Sequence, residues 1–201
     1  VQQGDTKAPL DSAVVQLFNA NDSLLEQMVT GPDGKYAFAL EPETGYRLKV
    51  HKDGFFKQSA RLTTKGKSNT VIHTDFNLFP LKVDQVVRLD NIYYDVAKWN
   101  IRPDAAVELD KLVQTLNDNP SVKIELSSHT DCRGKDAYNM TLSEKRAQSA
   151  VDYVVKHGIA KDRLIAKGYG ETRPVEPCEC SKCTEAEYQA NRRTEFKVLS
   201  K

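Results

Sequence analysis

No stretch of this sequence approaches the roughly 20 consecutive apolar residues of a membrane-crossing helix, so no transmembrane segment is expected in it. Charge of one sign is missing too: 29 lysines and arginines face 28 aspartates and glutamates, a formal net charge of +1. With no RGG-like or basic-aromatic run, that balance argues against nucleic acid and against an anionic membrane surface as partners. Zinc-peptidase and nucleophile-elbow motifs are absent, as are internal repeats and low-complexity segments. There is no initiator methionine or signal peptide. The opening VQQGDTKAPL reads as the middle of a longer product, with targeting information and membrane attachment expected upstream.

Cysteine is scarce and unevenly placed. The four cysteines are Cys132, Cys178, Cys180 and Cys183, the last three packed into PCECSKC. Two readings stand: disulfides in an oxidising compartment, or a metal site. Cys180-x-x-Cys183 has zinc-like spacing, but Cys-x-Cys plus a distant cysteine is not a standard zinc ribbon. Four cysteines allow three pairings, and spacing does not choose among them.

What is present divides into two parts. A chain of 201 residues suits two domains of roughly 100 residues each. The first part reads as an all-β sandwich over residues 1–82. SAVVQLFNA and LLEQMVT are strand candidates. GPDGKYAFAL is a turn followed by Tyr36, Phe38 and Leu40 at period two, and GYRLKVH alternates through Tyr46, Leu48 and Val50. DFNLFPLK closes this part, with Pro80 ending the strand. The second part, 83–201, changes period. VVRLDNIYYD is a strand. The helix that follows has Pro103 in its first turn and a stripe of Ala106, Leu109, Val113 and Leu116. SVKIELSSH is a strand, Asn139 to His157 a helix stopped by Gly158, and RLIAKGYGE and TEFKVLS are strands. The order β-α-β-α-β-β predicts an α+β, two-layer domain.

The stretch SSHTDCRGKDAYN holds His129, Asp131 and Cys132 close together. A Cys132–His129 catalytic dyad is disfavoured, because in a strand His129 and Asp131 share a face while Cys132 points elsewhere, and nothing suggests an oxyanion hole. On the next helix, Leu142, Arg146, Ala150 and Val154 share a face. A guanidinium there must snorkel, find an internal carboxylate, or hold a ligand anion. Asp131 precedes that helix by one loop. An anion and a cation, each left partly unsatisfied, would suit a zwitterion. Trp99 reads as packing at a helix entry, with a ligand-lining role second.

These residues carry a resemblance. Thr130-Asp131, Tyr138-Asn139, Leu142-Ser143, Arg146-Ala147, Gly158-Ile159, Arg163-Leu164, Gly168 to Glu171 and Asn191-Arg192-Arg193 occur in the order of the OmpA-like peptidoglycan-binding domain. YYDVAKWNI resembles that family's opening strand and loop, including Asp95, although Val96 and Ala97 stand where polar residues often sit. The resemblance implies no enzyme, cofactor or metal. It implies binding of the diaminopimelate of a peptidoglycan stem peptide, with Asp131 meeting the ammonium, Arg146 the carboxylate, and Thr130, Asn139 and Arg192 completing the pocket. The first part resembles a carboxypeptidase-regulatory-like, prealbumin-like module through PLDSAVVQLF, TGPDGKYAF and GYRLKVHKDGF. The pairing resembles Bacteroidota anchors that tie an outer-membrane protein, or type IX secretion or gliding machinery, to the cell wall from the periplasm. Other envelope or secretion-complex proteins are then expected partners. The alternative is a protein–protein interaction module of an envelope complex with little peptidoglycan binding. In an oxidising periplasm, disulfides become the favoured state of Cys132, Cys178, Cys180 and Cys183, with Cys132 joined to Cys178 or Cys180.

Overall fold

The structure is a computed structural model. It describes every residue except Ser68, Asn69, Asp90, Asn91, Tyr93, Asp95 and Val96. The readings placed on Tyr93, Asp95 and Val96 therefore lie outside the described residues. The chain forms two compact units, Val1–Lys82 and Val83–Lys201. No helix among the described residues is long and apolar enough to cross a membrane.

The first unit is built on an antiparallel sheet of β2 (Val14–Asn19), β3 (Leu24–Val29), β4 (Gly45–His51) and β5 (Gln58–Thr63), in the order β3-β2-β4-β5. A second, two-stranded parallel pair joins β1 (Gln2–Gln3) and β6 (Asn77–Leu78). Period-two alternation puts Val15, Leu17, Leu48 and Val50 on one face, all buried, against Phe76 and Leu78. Three differences from the sequence reading stand out. QSARLT forms a strand that the sequence reading left unassigned. Tyr36, Phe38 and Leu40 do pack on the core, but their segment enters no strand ladder. The closing strand is shorter than expected, only Asn77–Leu78.

The second unit runs β7 (Val86–Leu89), α1 (Pro103–Asp118), β8 (Lys123–Ser128), α2 (Asp136–Lys156), β9 (Leu164–Gly168), α3 (Glu185–Asn191) and β10 (Thr194–Ser200). The sheet order is β7-β10-β8-β9. β10 is antiparallel to both β7 and β8, while β8 and β9 are parallel and need α2 as their crossover. α2 packs on β8 and β9 and against α1. In β9, buried Leu164 precedes exposed Ile165, the alternation of a sheet with one covered face. The two-layer α+β reading fits this mixed sheet, with one addition: α3 lies between RLIAKGYGE and TEFKVLS, where the sequence order gives no helix. The apolar stripe of α1 also needs correction. Its buried residues are Ala105, Leu109, Leu112 and Leu116, with Ala106 and Val113 only half-buried. Both sets fit a helical period, because apolar residues cover a wide arc of this helix.

Two glycines let α2 approach the sheet. A Cβ at Gly168 would lie 2.3 Å from the backbone nitrogen of Glu144, so only glycine fits where β9 meets the helix. The Gly168 N–H instead donates to Glu144 Oε2 at 2.6 Å. Gly170 adopts a φ of 53°, and its N–H donates to Ser143 Oγ at 2.8 Å. Its carbonyl accepts from the Thr130 N–H at 2.9 Å. The Gly-Tyr-Gly run thus ties the start of α2 to the loop that carries Asp131.

Candidate functional site

The loop between β8 and α2 is anchored at several points. Asn139, buried in the first turn of α2, donates from Nδ2 to the Asp131 carbonyl at 3.3 Å and the Arg133 carbonyl at 3.1 Å. The same amide also meets the Glu171 carboxylate. These bonds fix the loop and set the direction of the Asp131 side chain.

Asp131 is buried, and both of its carboxylate oxygens are engaged. Oδ1 accepts from the Arg133 N–H at 3.0 Å; Oδ2 accepts from Arg133 Nη2 at 2.8 Å and Arg192 Nη1 at 2.6 Å. Burial works against its charge, but the bonds from Arg133 and then Arg192 outweigh that, and its pKa lies below the ordinary carboxylate value. The expectation that Asp131 stands partly unsatisfied is therefore corrected: two guanidiniums occupy it. The two differ in how firmly they are held. The Arg133 side chain is 50% exposed and stacks 4.0 Å over the Tyr188 ring. Arg192, at the end of α3, is 26% exposed and braced by Glu185 at 2.5 Å and Gln189 at 2.6 Å. Arg133 is the partner more easily displaced.

Arg146 is buried, 7% exposed. Its Nε donates to the Lys98 carbonyl at 3.0 Å, and its guanidinium carbon lies 4.9 Å from the centre of the Tyr94 ring. Burial lowers its pKa, while Tyr94, Tyr138 and Asp131 push the other way. Tyr94 donates its hydroxyl to the Arg146 carbonyl at 3.1 Å. Burial above all pushes the Tyr94 phenol up to about 12, which leaves it a neutral donor.

A cavity of about 400 Å³ opens over Arg146. Arg102, Arg146, Arg192 and Arg193 all line it, and among the described residues no carboxylate does. Asp131 is not part of the lining; it sits behind Arg192, which forms a shared wall. Of the five residues expected at the site, Arg146 and Arg192 line the cavity. Asp131 adjoins it through Arg192, Asn139 holds the loop that carries Asp131, and Thr130 lies buried in that loop with its hydroxyl unpartnered among the described residues. Such an arrangement suits an anionic group in the cavity and a cation at its Asp131 edge.

The residues around this site serve to hold it. Asn191 Oδ1 accepts from the Val175 and Glu176 N–H groups at 2.8 and 3.0 Å, which closes the start of the cysteine-rich loop. Cys132 is bonded to Cys180, and Cys178 to Cys183. Cys132 therefore has no thiol for catalysis. Thr184 and Glu187 form a capping box at the start of α3, a signal of S/T-x-x-E type visible in TEAE. Arg193 points inward, its Nε donating to Glu195 Oε1 at 2.6 Å. His129 is buried with its ring stacked on Tyr169, and its Nε2 lies 3.3 Å from Glu195 Oε2 without the alignment of a hydrogen bond.

Glu195 gives a pH prediction. Burial opposes its charge, but His129 and Arg193 dominate and bring its pKa down from 4.5 to about 2. A depressed carboxyl contributes stability that is present above 4.5 and lost as pH falls through about 2. Because the group is half-buried and screened, we expect a contribution of about 1–2 kcal/mol. Urea unfolding of Glu195→Gln against the parent should show a larger deficit at pH 6 than at pH 2.5. An equal deficit at both would refute the assignment.

Comparison with known proteins agrees with the sequence reading of this unit. The OmpA family model matches residues 93–187. Outer membrane porin F of Pseudomonas fluorescens is 38% identical over 117 residues, covering 58% of this chain and 35% of the porin. A peptidoglycan-associated lipoprotein of Mesorhizobium japonicum is 37% identical over 94 residues, covering 47% of this chain and 56% of that protein. A crystal structure of the Burkholderia pseudomallei peptidoglycan-associated lipoprotein aligns with 25% identity and a TM-score of 0.48, over 53% of this chain and 87% of that one. The chain thus spans only about a third to just over half of these curated relatives. Motif order, mixed sheet and family match converge on one segment of the second unit, residues 93–187, which is similar to the OmpA family.

Proposed function

We propose that the second unit binds peptidoglycan without catalysis, gripping the diaminopimelate of a stem peptide, and so anchors an outer-membrane protein or type IX secretion complex to the cell wall from the periplasm. The observation that carries this reading is the arginine-walled cavity over Arg146 with the Asp131 carboxylate bonded to its Arg192 wall, both Arg146 and Asp131 lying in the segment that the OmpA model matches. Diaminopimelate offers a carboxylate and an ammonium on one carbon. The carboxylate matches the Arg146 guanidinium through charge-assisted bonds, and the ammonium competes with Arg133 for Asp131. Porin F and the peptidoglycan-associated lipoprotein are envelope proteins by name, which is consistent with this site of action. Residues 1–82 are read as a carboxypeptidase-regulatory-like module that spaces the anchor or docks a partner protein. Its support is the Pro32-Asp33-Gly34 turn, with Gly34 at a φ of 67°, beside an antiparallel sheet.

Co-sedimentation with purified sacculi tests the proposal. The protein should pellet with diaminopimelate-containing walls and be released by excess free diaminopimelyl tripeptide. It should not be released by a tripeptide with lysine in that position. Failure to pellet would instead favour the interaction-module reading.

A further inference from the structure

One aromatic side chain is left outside the core and beside the site. Trp99 is 40% exposed, so its expected role as helix-entry packing accounts for only part of it. The Lys145 ammonium lies 4.3 Å from the centre of its ring. The preceding residue, Lys98, is bonded through its carbonyl to Arg146 Nε at 3.0 Å. Trp99 is therefore pinned next to the guanidinium that lines the cavity. A second ring, Tyr138 on the same helix as Arg146, is 51% exposed. Tyr138 and Lys145 are seven residues apart on α2, hence on one face and about 10 Å apart along the axis. Trp99 over Lys145 and Tyr138 two turns earlier thus set two exposed rings along one face of the helix that carries Arg146.

We propose that Trp99, supported by Tyr138, is a stacking platform for the amino-sugar chain to which the stem peptide is attached. This rests on the reading that the cavity takes the peptide. The spacing fits. Diaminopimelate is separated from the sugar by two residues, one joined through its side-chain carboxyl, so the tether exceeds the roughly 7 Å of two ordinary extended residues. A sugar on such a tether can reach Trp99, whose neighbour Lys98 is bonded to Arg146. Pyranose rings carry flat arrays of C–H bonds that pack on the electron-rich face of an indole, and acetamido methyls add apolar contact. The Lys145 ammonium at the ring can donate to sugar hydroxyls. The grip on the wall then has two parts: an ionic clamp on the peptide and an apolar shelf for the glycan.

Trp99 is the sole tryptophan of the chain, so its emission reports on the shelf alone. Three probes are titrated: the diaminopimelyl tripeptide, the same peptide on its disaccharide, and amidase-stripped glycan free of peptide. The disaccharide peptide should bind about fivefold to tenfold tighter than the free peptide. It should also shift the tryptophan emission, whereas the free peptide should leave it nearly unchanged. By calorimetry, Trp99→Ala should erase that ratio without changing affinity for the free peptide, Trp99→Phe should restore most of it, and Tyr138→Ala should reduce it partly. Equal affinity of the parent protein for the two peptides would overturn the shelf while leaving the peptide clamp standing, and so would a ratio that survives Trp99→Ala. Binding of neither peptide would overturn both readings. Binding of stripped glycan lost in Trp99→Ala would support the shelf directly.

Discussion

Arg146→Ala is expected to weaken binding of diaminopimelyl peptide by about 100-fold or more and to remove the protein from sedimented cell wall. The expected size follows from the site. A bidentate guanidinium–carboxylate contact in a partly desolvated cavity is among the stronger polar interactions, and removing one member leaves the ligand charge without a partner. The remaining arginines also line the cavity but are engaged with carboxylates of the chain, Arg102 with Asp104, Arg192 with Asp131 and Arg193 with Glu195, so they do not replace Arg146. Arg146→Lys keeps the charge and loses the planar fork, and we expect it to retain binding at roughly tenfold weaker affinity. Folding must be checked, since the Arg146 side chain also bonds the Lys98 carbonyl. Helical circular dichroism and an unfolding midpoint near that of the parent would show that binding, not folding, was lost. Undiminished binding by folded Arg146→Ala would remove the guanidinium from the proposal.

Breaking the Cys132–Cys180 bridge is expected to have the second largest effect, on stability first and on binding through it. The bond joins residues 48 apart in sequence, against 5 for Cys178–Cys183. In the chain-entropy account, closing the longer loop is worth about 4 kcal/mol and the shorter about 2 kcal/mol. Cys132→Ser with Cys180→Ser should therefore lower the melting temperature by about 10 °C, roughly twice the effect of the other pair. Binding should suffer as well, because Cys132 follows Asp131 directly. The Cys180 carbonyl accepts from the Tyr188 hydroxyl, and the Tyr188 ring stacks under Arg133, which pairs with Asp131. Releasing Cys180 loosens each link in turn. We expect affinity for the peptide to fall about tenfold after reduction, and to recover on reoxidation. Calorimetry on the oxidised, reduced and reoxidised protein checks this. Equal melting temperatures for the two double variants would show that the long bridge is not the structural staple described here.

Some of this was open to reading in the residues and some was not, for identifiable physical reasons. The pattern of Arg146 among Leu142, Ala150 and Val154 marks a buried cation on an apolar face, and that is where it lies. The strands around Val15, Leu48 and Leu126 follow from alternation, since one face of each sheet is covered. The stripe of α1 was misplaced because Ala105, Ala106, Leu112 and Val113 all fit a helical period; which of them faces the sheet depends on loop geometry that periodicity does not contain. Helix α3, at seven residues, is too short for a periodic signal, yet its capping box was visible in TEAE. The saturation of Asp131 could not have been read locally. Its partner Arg192 lies 61 positions away in sequence and arrives only when β10 and α3 are in place. The cysteine pairing is of the same kind: spacing leaves three choices, and the fold selects one. The segment Tyr36–Leu40 shows the opposite error. Its alternation is real and its side chains reach the core, but alternation alone does not provide a neighbouring strand to pair with.

The most direct measurement is a structure of the second unit with diaminopimelyl tripeptide bound. It should place the diaminopimelate carboxylate on the Arg146 guanidinium and the ammonium on Asp131, with Arg133 swung away and Arg192 still in place. A peptide bound elsewhere on the surface, or one that leaves Asp131 with both arginines and does not touch Arg146, would contradict the account.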